Sequence, residues 1–282
     1  MDTQKSILIT GCSSGIGLYT AQQLQKQGYQ VFASARKPSD VEHLKQLGLN
    51  SLQLDLDDSL SIKNALIKVL NQSGGELYAL FNNGAYGLVG AVEDLTRDAL
   101  RAQFETNLFG TMELTNWVLP IMRKQGYGRI IQNSSVLGFA AMPYRGAYNC
   151  SKFALEGISD TLRQELDDTD IHVSLIEPGP IISDFRNNAF KAFKKYVAGK
   201  DSLHKAQYEA MINRLQTDGP AAPFTLGPDA VCEKVIHALE AKQPRARYYV
   251  TKPTYFMGYL KRALSSRLMD RILIKAGGAG KR

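Results

Sequence analysis

Cysteine is scarce. Cys12, Cys150 and Cys232 are the only three in 282 residues, too few and too scattered for a disulfide framework or a zinc site, so no metal is expected. No uninterrupted apolar run approaches the length that crosses a bilayer, and MDTQKSILIT lacks the charged, long apolar and small-residue parts of a secretory signal. Membrane-spanning and disulfide-stapled secreted classes are thereby set aside, and a cytoplasmic location is expected. Acids are missing from one stretch in particular: Lys242 to Arg282 holds eleven Lys and Arg against the single acid Asp270. That stretch carries +10 of a formal net charge of +7, leaving −3 for the first 241 residues. It has neither an aromatic-interleaved RNA motif nor a recognition-helix signature, which argues against nucleic acid. An anionic membrane surface suits the charge better. Internal repeats and low-complexity segments are also absent.

What is present is an ordinary soluble composition, 44% hydrophobic and 22% charged, enough for one large core. Apolar runs alternate with helical patterns. SILIT at 6–10 reads as a strand, 16–28 as a helix and YQVFASAR at 29–36 as a strand. SLQLDL, YALFNN, GRIIQNSS and HVSLIEPG follow as strands, with helices near 59–72, 96–125 and 148–168. This repetition predicts an α/β fold, a doubly wound parallel sheet with helices on both faces and ligands at the carboxyl ends of the strands. One domain is expected over 1–253. Residues 184–227 interrupt the alternation with amphipathic helical sequence, which predicts a substrate lid, and 254–282 predicts a basic C-terminal helix and tail.

TGCSSGIG joins the first strand to the first helix and spaces Gly11, Gly15 and Gly17 as GxxxGxG. Glycines there permit unusual backbone angles and a close approach to a pyrophosphate, which the helix amides attract. At the end of the second strand stand Arg36 and Lys37 rather than an acid. With the hydroxyls of Ser13 or Ser14 they favour a ribose 2′-phosphate, hence NADP(H). Tyr148 and Lys152, four residues apart on a predicted helix, stack on one face, and Ser135 lies thirteen residues before the tyrosine. A phenol titrates near pH 10, and a neighbouring cation is expected to lower it enough for proton transfer. The Ser135 hydroxyl can then hold a carbonyl or alcohol oxygen while Tyr148 gives or takes the proton.

On these motifs, together with NLFGT, YNCSKFALEGISDTLRQEL, VSLIEPGPI and FTLGPDAV, the chain resembles a short-chain dehydrogenase/reductase over roughly residues 5–250. It is most similar to the retinol dehydrogenase and 17-beta-hydroxysteroid dehydrogenase branch and to bacterial NADP-dependent aldehyde reductases. The resemblance implies a Rossmann-type fold with Tyr148 as general acid/base, Ser135 orienting the substrate oxygen, and Lys152 binding the nicotinamide ribose while depressing the tyrosine. It implies that Asn107 holds a water linking Lys152 to solvent, although an amide satisfied inside a helix is the plainer alternative. It also implies a dinucleotide site drawing on Ile16, on Asp55 and Leu56 near the adenine, on Asn83, Gly84 and Ala85, and on Pro178, Gly179, Ile181 and Ser183 beside the nicotinamide. Two departures stand out: the usual NNAG run is NNGA at 82–85, and Ser183 replaces the common threonine.

The expected activity is NADP(H)-dependent reduction of hydrophobic aldehydes or ketones, or oxidation of the matching alcohols. Leu137, Phe139, Met142 and Tyr144, with Phe190, Phe193 and Tyr196 of the lid, are candidate pocket walls, though each could equally be core. A non-catalytic dinucleotide-binding regulator would show a broken Ser, Tyr, Lys set. The resemblance also implies a homodimer or homotetramer paired through helices near 96–125 and 148–168. In the tail, Met257, Leu260, Leu264, Leu268 and Ile272 form an apolar stripe among Lys261, Arg262, Arg267, Arg271 and Lys275. This fits a helix docked on its own domain over the substrate pocket, or a helix in peripheral contact with a membrane interface.

Overall fold

A computed structural model describes residues 4–199, 201–217, 219–220 and 222–278. In chain order it runs β1 (Ser6–Ile9), α1 (Gly15–Lys26), β2 (Gln30–Ala35), α2 (Pro38–Gln46), β3 (Ser51–Gln53) and α3 (Ser59–Gln72). Next come β4 (Ala79–Asn82), α4 (Arg97–Phe104), α5 (Gly110–Gln125), β5 (Tyr127–Asn133), α6 (Gly146–Glu165) and β6 (Asp170–Glu177). The chain ends with α7 (Phe185–Tyr196), α8 (Lys205–Gln216), α9 (Asp229–Glu240), β7 (Arg247–Tyr249), α10 (Lys252–Ala263) and α11 (Ser266–Ala276). Among the described residues the strands form one sheet in the order β3-β2-β1-β4-β5-β6-β7, and each pairing is parallel.

Successive side chains of a strand face opposite ways, and the central strands are buried on both sides. Ile7 and Ile9 of β1 join a core with Leu24 of α1, Val41 of α2 and Val235 of α9. Leu8 faces the other way, onto Leu66 of α3, Val118 of α5 and Leu162 of α6. The order of the strands reverses between β1 and β4, the place where open parallel sheets bind ligands.

Two helical expectations change. The single helix predicted near 96–125 is α4 and α5 joined by a π-helical turn at Glu105–Phe109. The side chain of Asn107 in that turn is tied to the backbone of Tyr86, and Gly110 lets the chain pass against the carbonyl of Leu56, where any Cβ would collide. The predicted C-terminal helix is likewise two, α10 and α11, because Leu264 is extended at φ −103°, ψ 151°. Met257, Leu260 and Ile272 pack on the domain, but the inner face of α11 is Met269, Leu273 and Ala276, and Leu268 is left exposed. This packing covers Val136, Leu137 and Met142, so the apolar stripe of the tail faces the protein. Residues 279–282 of the basic tail lie outside the described residues. The segment 184–227 contains α7 and α8, whose Phe193, Met211 and Leu215 form a satellite core with Leu88 and Val89.

Candidate active site

A cavity of about 540 Å³ opens along the carboxyl ends of β1, β4, β5 and β6. It is lined by Gly11, Ser13, Ser14, Gly15, Ile16, Asn83, Gly84, Ala85, Ser135, Tyr148, Lys152, Pro178, Gly179, Ile181 and Ser183. Gly17 lies in the first turn of α1, and Arg36, Lys37, Asp55 and Leu56 lie beyond the cavity at the ends of β2 and β3. Arg36 and Lys37 are exposed, Asp55 accepts from the Asp57 amide at 3.1 Å, and Leu56 is buried in the core.

The cofactor side is backbone held at close range. Gly11 has φ +70° and Gly15 φ +57°, angles that side-chain-bearing residues rarely adopt. A Cβ on Gly11 would stand 2.7 Å from the Gly84 Cα, and one on Gly15 2.8 Å from the Ser183 Cβ. The Thr10 hydroxyl accepts from the amides of Asn83 and Gly84 at 2.9 and 2.8 Å, and the Asn83 side chain donates to the carbonyls of Thr10 and Gly11. Asn133 in turn donates to Asn83 Oδ1 at 2.8 Å. Thr10 and Asn133 are therefore structural parts of the loop. TGCSSGIG and NNGA gave no sign of this, because the partners lie tens of residues apart. The exchange in NNGA has a local reason: a Cβ on Gly84 would come within 3.1 Å of Leu56 Cδ1. A cradle of glycine backbone at the N-terminus of α1, whose Ser14 makes no side-chain cap bond, fits the pyrophosphate of a dinucleotide.

On the substrate side, α6 brings Tyr148 to the Ser135 hydroxyl, which hydrogen bonds the phenol, and buries both. Lys152 is buried one turn further on, its Nζ 2.7 Å from the Asn133 carbonyl and 5.9 Å from the Tyr148 ring centre. Asn107 donates to Ser151 Oγ at 3.1 Å, and Ser151 donates to the Tyr148 carbonyl at 2.8 Å, so the π-turn braces this part of α6. The side chain of Asn107 is thus engaged by protein groups on both its oxygen and its nitrogen.

The electrostatics correct one expectation. Burial pushes Tyr148 up to about 12, against which the Ser135 hydrogen bond works, and burial pushes Lys152 down to about 8, partly offset by Glu156. Removing water from both groups outweighs their mutual support, so Lys152 does not by itself bring the phenol toward neutrality.

The candidate walls also need correction. Leu137 and Met142 line the cavity, whereas Phe139 stacks on Tyr249 and Tyr144 packs against His204. Phe190, Phe193 and Tyr196 pack in the satellite core, and α7 and α8 instead present Phe185, Ala189 and Leu215. Phe185 meets the Tyr148 ring edge-on at 5.3 Å between centres. Helical periodicity alone did not separate the inner from the outer aromatics of α7. Ala276 of α11 reaches the same cavity, and Arg145, pushed down to about 10 by burial and by Arg214, forms part of its edge.

The short chain dehydrogenase family profile matches residues 5–193 of this chain. The chain belongs to the short-chain dehydrogenase family. It is 43% identical over 276 residues to the Escherichia coli (strain K12) protein described as the uncharacterized oxidoreductase YbbO, covering 96% of this chain and 94% of that one. It is 33% identical over 260 residues to human 17-beta-hydroxysteroid dehydrogenase type 1, covering 87% of this chain and 77% of the human protein. A crystal structure of a short-chain dehydrogenase from Streptomyces avermitilis superimposes with a TM-score of 0.77 at 25% identity, over 98% of this chain and 97% of that one. This short-chain dehydrogenase is therefore an oxidoreductase with a Rossmann-like fold that binds a nicotinamide dinucleotide.

Proposed function

We propose that this short-chain dehydrogenase uses NADP(H) to reduce hydrophobic aldehydes or ketones, or to oxidise the matching alcohols. The observation that carries the reading is the cavity wall around the Tyr148 hydroxyl, where Leu137, Met142, Phe185, Leu215 and Ala276 surround the position of a reacting oxygen. The human relative's name, a hydroxysteroid dehydrogenase, fits a bulky apolar substrate. Arg36, exposed at the end of β2 where an acid would favour NAD, supports NADP(H).

When bound, the nicotinamide supplies or accepts a hydride at the carbonyl carbon. Ser135 orients the substrate oxygen by hydrogen bonding, and Tyr148 gives that oxygen its proton, or takes it in the reverse direction. Lys152 holds the ribose edge of the site with its ammonium. The apolar wall, Phe185 above all, keeps water from the reacting carbon. Residues 184–227 act as the lid. An NADPH-oxidation screen over aldehydes and ketones of graded size tests this reading. Turnover that rises with apolar size is expected, and equal efficiency with NADH or no turnover on any member would overturn it.

Two assembly readings accompany this one. Phe109 and Trp117 of α5 and Phe153 and Ile158 of α6 are exposed, which supports pairing into a homodimer or homotetramer, tested by sedimentation equilibrium. No helix among the described residues is long and apolar enough to cross a membrane. Peripheral contact is supported instead by Tyr255, Phe256 and Tyr259, exposed on α10 on the same face as Lys252 and Arg262. Flotation with anionic vesicles, lost in Phe256→Ser with Tyr259→Ser, is the expected result.

A further inference from the structure

Behind Tyr148 and Lys152 lies a buried charged cluster that the reaction above does not use. Glu156 follows Lys152 by one turn of α6 and is buried, and Glu177 ends β6, fully buried, immediately before Pro178 and Gly179. Arg247, which opens β7, serves three carboxyls: its Nη2 lies 3.1 Å from Glu156 Oε2 and 2.6 Å from Asp160 Oδ2, and its Nε 3.2 Å from Glu177 Oε1. Asp160 is also paired with Arg163. Ser134, the neighbour of Ser135, hydrogen bonds Glu156. The cluster thus touches the serine loop, the lysine turn and the Pro178–Gly179 turn at once.

Its charges do not balance if every acid is ionised. With Asp160 matched by Arg163, the Arg247 guanidinium is left to neutralise two buried glutamates. Both oxygens of Glu177 are buried without an aligned hydrogen-bond donor among the described residues, yet the Glu156 and Glu177 carboxyls hydrogen bond one another. An ionised carboxylate only accepts, so that bond needs a proton on one of the two. Like charges held this close do not both ionise.

We propose that Glu156 and Glu177 share one proton, and that through it Glu156 sets how firmly Lys152 keeps its own; both glutamates are positioning residues. The link to catalysis rests on the function proposed above, whereas the shared proton does not. The directions agree: burial pushes both glutamates upward, and Glu156 supports the Lys152 ammonium against its own desolvation. The groups facing the pair are Tyr148, Lys152, Asp160 and Arg163 from α6, Arg247 and Tyr249 from β7, and Arg262 of α10 through Tyr249.

The two parts are tested without reference to turnover. Infrared spectra of the full chain carrying carboxyl-13C glutamate at neutral pH should show a protonated glutamic carboxyl, absent from both Glu156→Gln and Glu177→Gln because the remaining carboxylate ionises against Arg247. Its absence from the native protein, or its persistence in both variants, overturns the shared proton. NMR titration of 13Cε-labelled lysine, with Lys152 assigned by Lys152→Arg, should then show opposite shifts. Glu156→Gln removes the anion and lowers the Lys152 midpoint by about one pH unit, whereas Glu177→Gln leaves Glu156 fully ionised and raises it. Shifts in one direction, or none, overturn the link, since structural damage would move both variants alike. The alkaline limb of NADPH-linked activity should follow the same two directions. A native protein without such activity would sink the proposed reaction while leaving the spectroscopic results to decide this proposal.

Discussion

On the cofactor side, the cavity wall is backbone, held by neutral hydroxyls and amides in which Thr10, Asn83 and Asn133 each bridge separate strands. On the substrate side, the wall is side chains from helices that enter late in the chain, Phe185 and Leu215 of α7 and α8 and Ala276 of α11. The first wall leaves no room for a Cβ at Gly11 or Gly15. The second consists of apolar groups whose size can change while the sheet stays intact. Selection on substrate can therefore act on α7, α8 and α11 without disturbing the site for the dinucleotide.

Mutations can break this contrast or sharpen it. The largest effect is expected where the walls meet: Tyr148→Phe should lower turnover by at least about a hundredfold while NADPH binding, measured by fluorescence, is kept. Gly11→Ala should do the reverse, weakening NADPH binding by roughly tenfold or more through strain at φ +70° and contact with Gly84, with little change in the carbonyl KM. Ala35→Asp with Arg36→Leu should turn the cofactor preference toward NADH, and the native preference for NADPH should exceed about tenfold, or 1.4 kcal/mol. Removing residues 265–282 should raise the carbonyl KM several-fold by uncovering Leu137 and Met142, and leave the NADPH Kd unchanged. The smallest effect is on pH. Because the Lys152 ammonium loses its proton near about 8, NADPH binding should weaken a few-fold as pH rises through that value. Binding that stays flat well above it would remove Lys152 from the ribose.

The sheet was legible because its signals are local. Ile7, Leu8 and Ile9 are apolar on both faces, and the glycine loop directly follows them. The Tyr148 and Lys152 pairing was equally legible, since four residues of helix fix it. What escaped depends on distant partners. Nothing near Asn107 announces a π-turn, which is accompanied by contacts with Tyr86 and Ser151. The tail stripe was phased as one helix, so the extended backbone at Leu264 rotated Leu268 outward and Leu273 inward. The shift of Tyr148 was read from a single neighbour, whereas burial, a property of the whole fold, sets its direction. Glu156 and Glu177 stand 21 positions apart, and only the adjacency of α6 and β6 makes them a pair.

The π-turn at Glu105–Phe109 has a consequence for how this chain tolerates changes in length. Such a turn amounts to one residue more than a regular helix would use. Deleting a single residue there would let α4 and α5 fuse into one continuous helix, turning everything beyond by about 100° relative to what precedes it. Leu114 and Val118 would leave the sheet and Trp117 would swing toward it. The connection between α7 and α8, by contrast, is anchored by side chains such as Ser202 on Asp94 rather than by helical phase. Insertions and deletions among descendants of this sequence should therefore accumulate between α7 and α8, and the spacing from Thr96 to Gly126 should stay fixed.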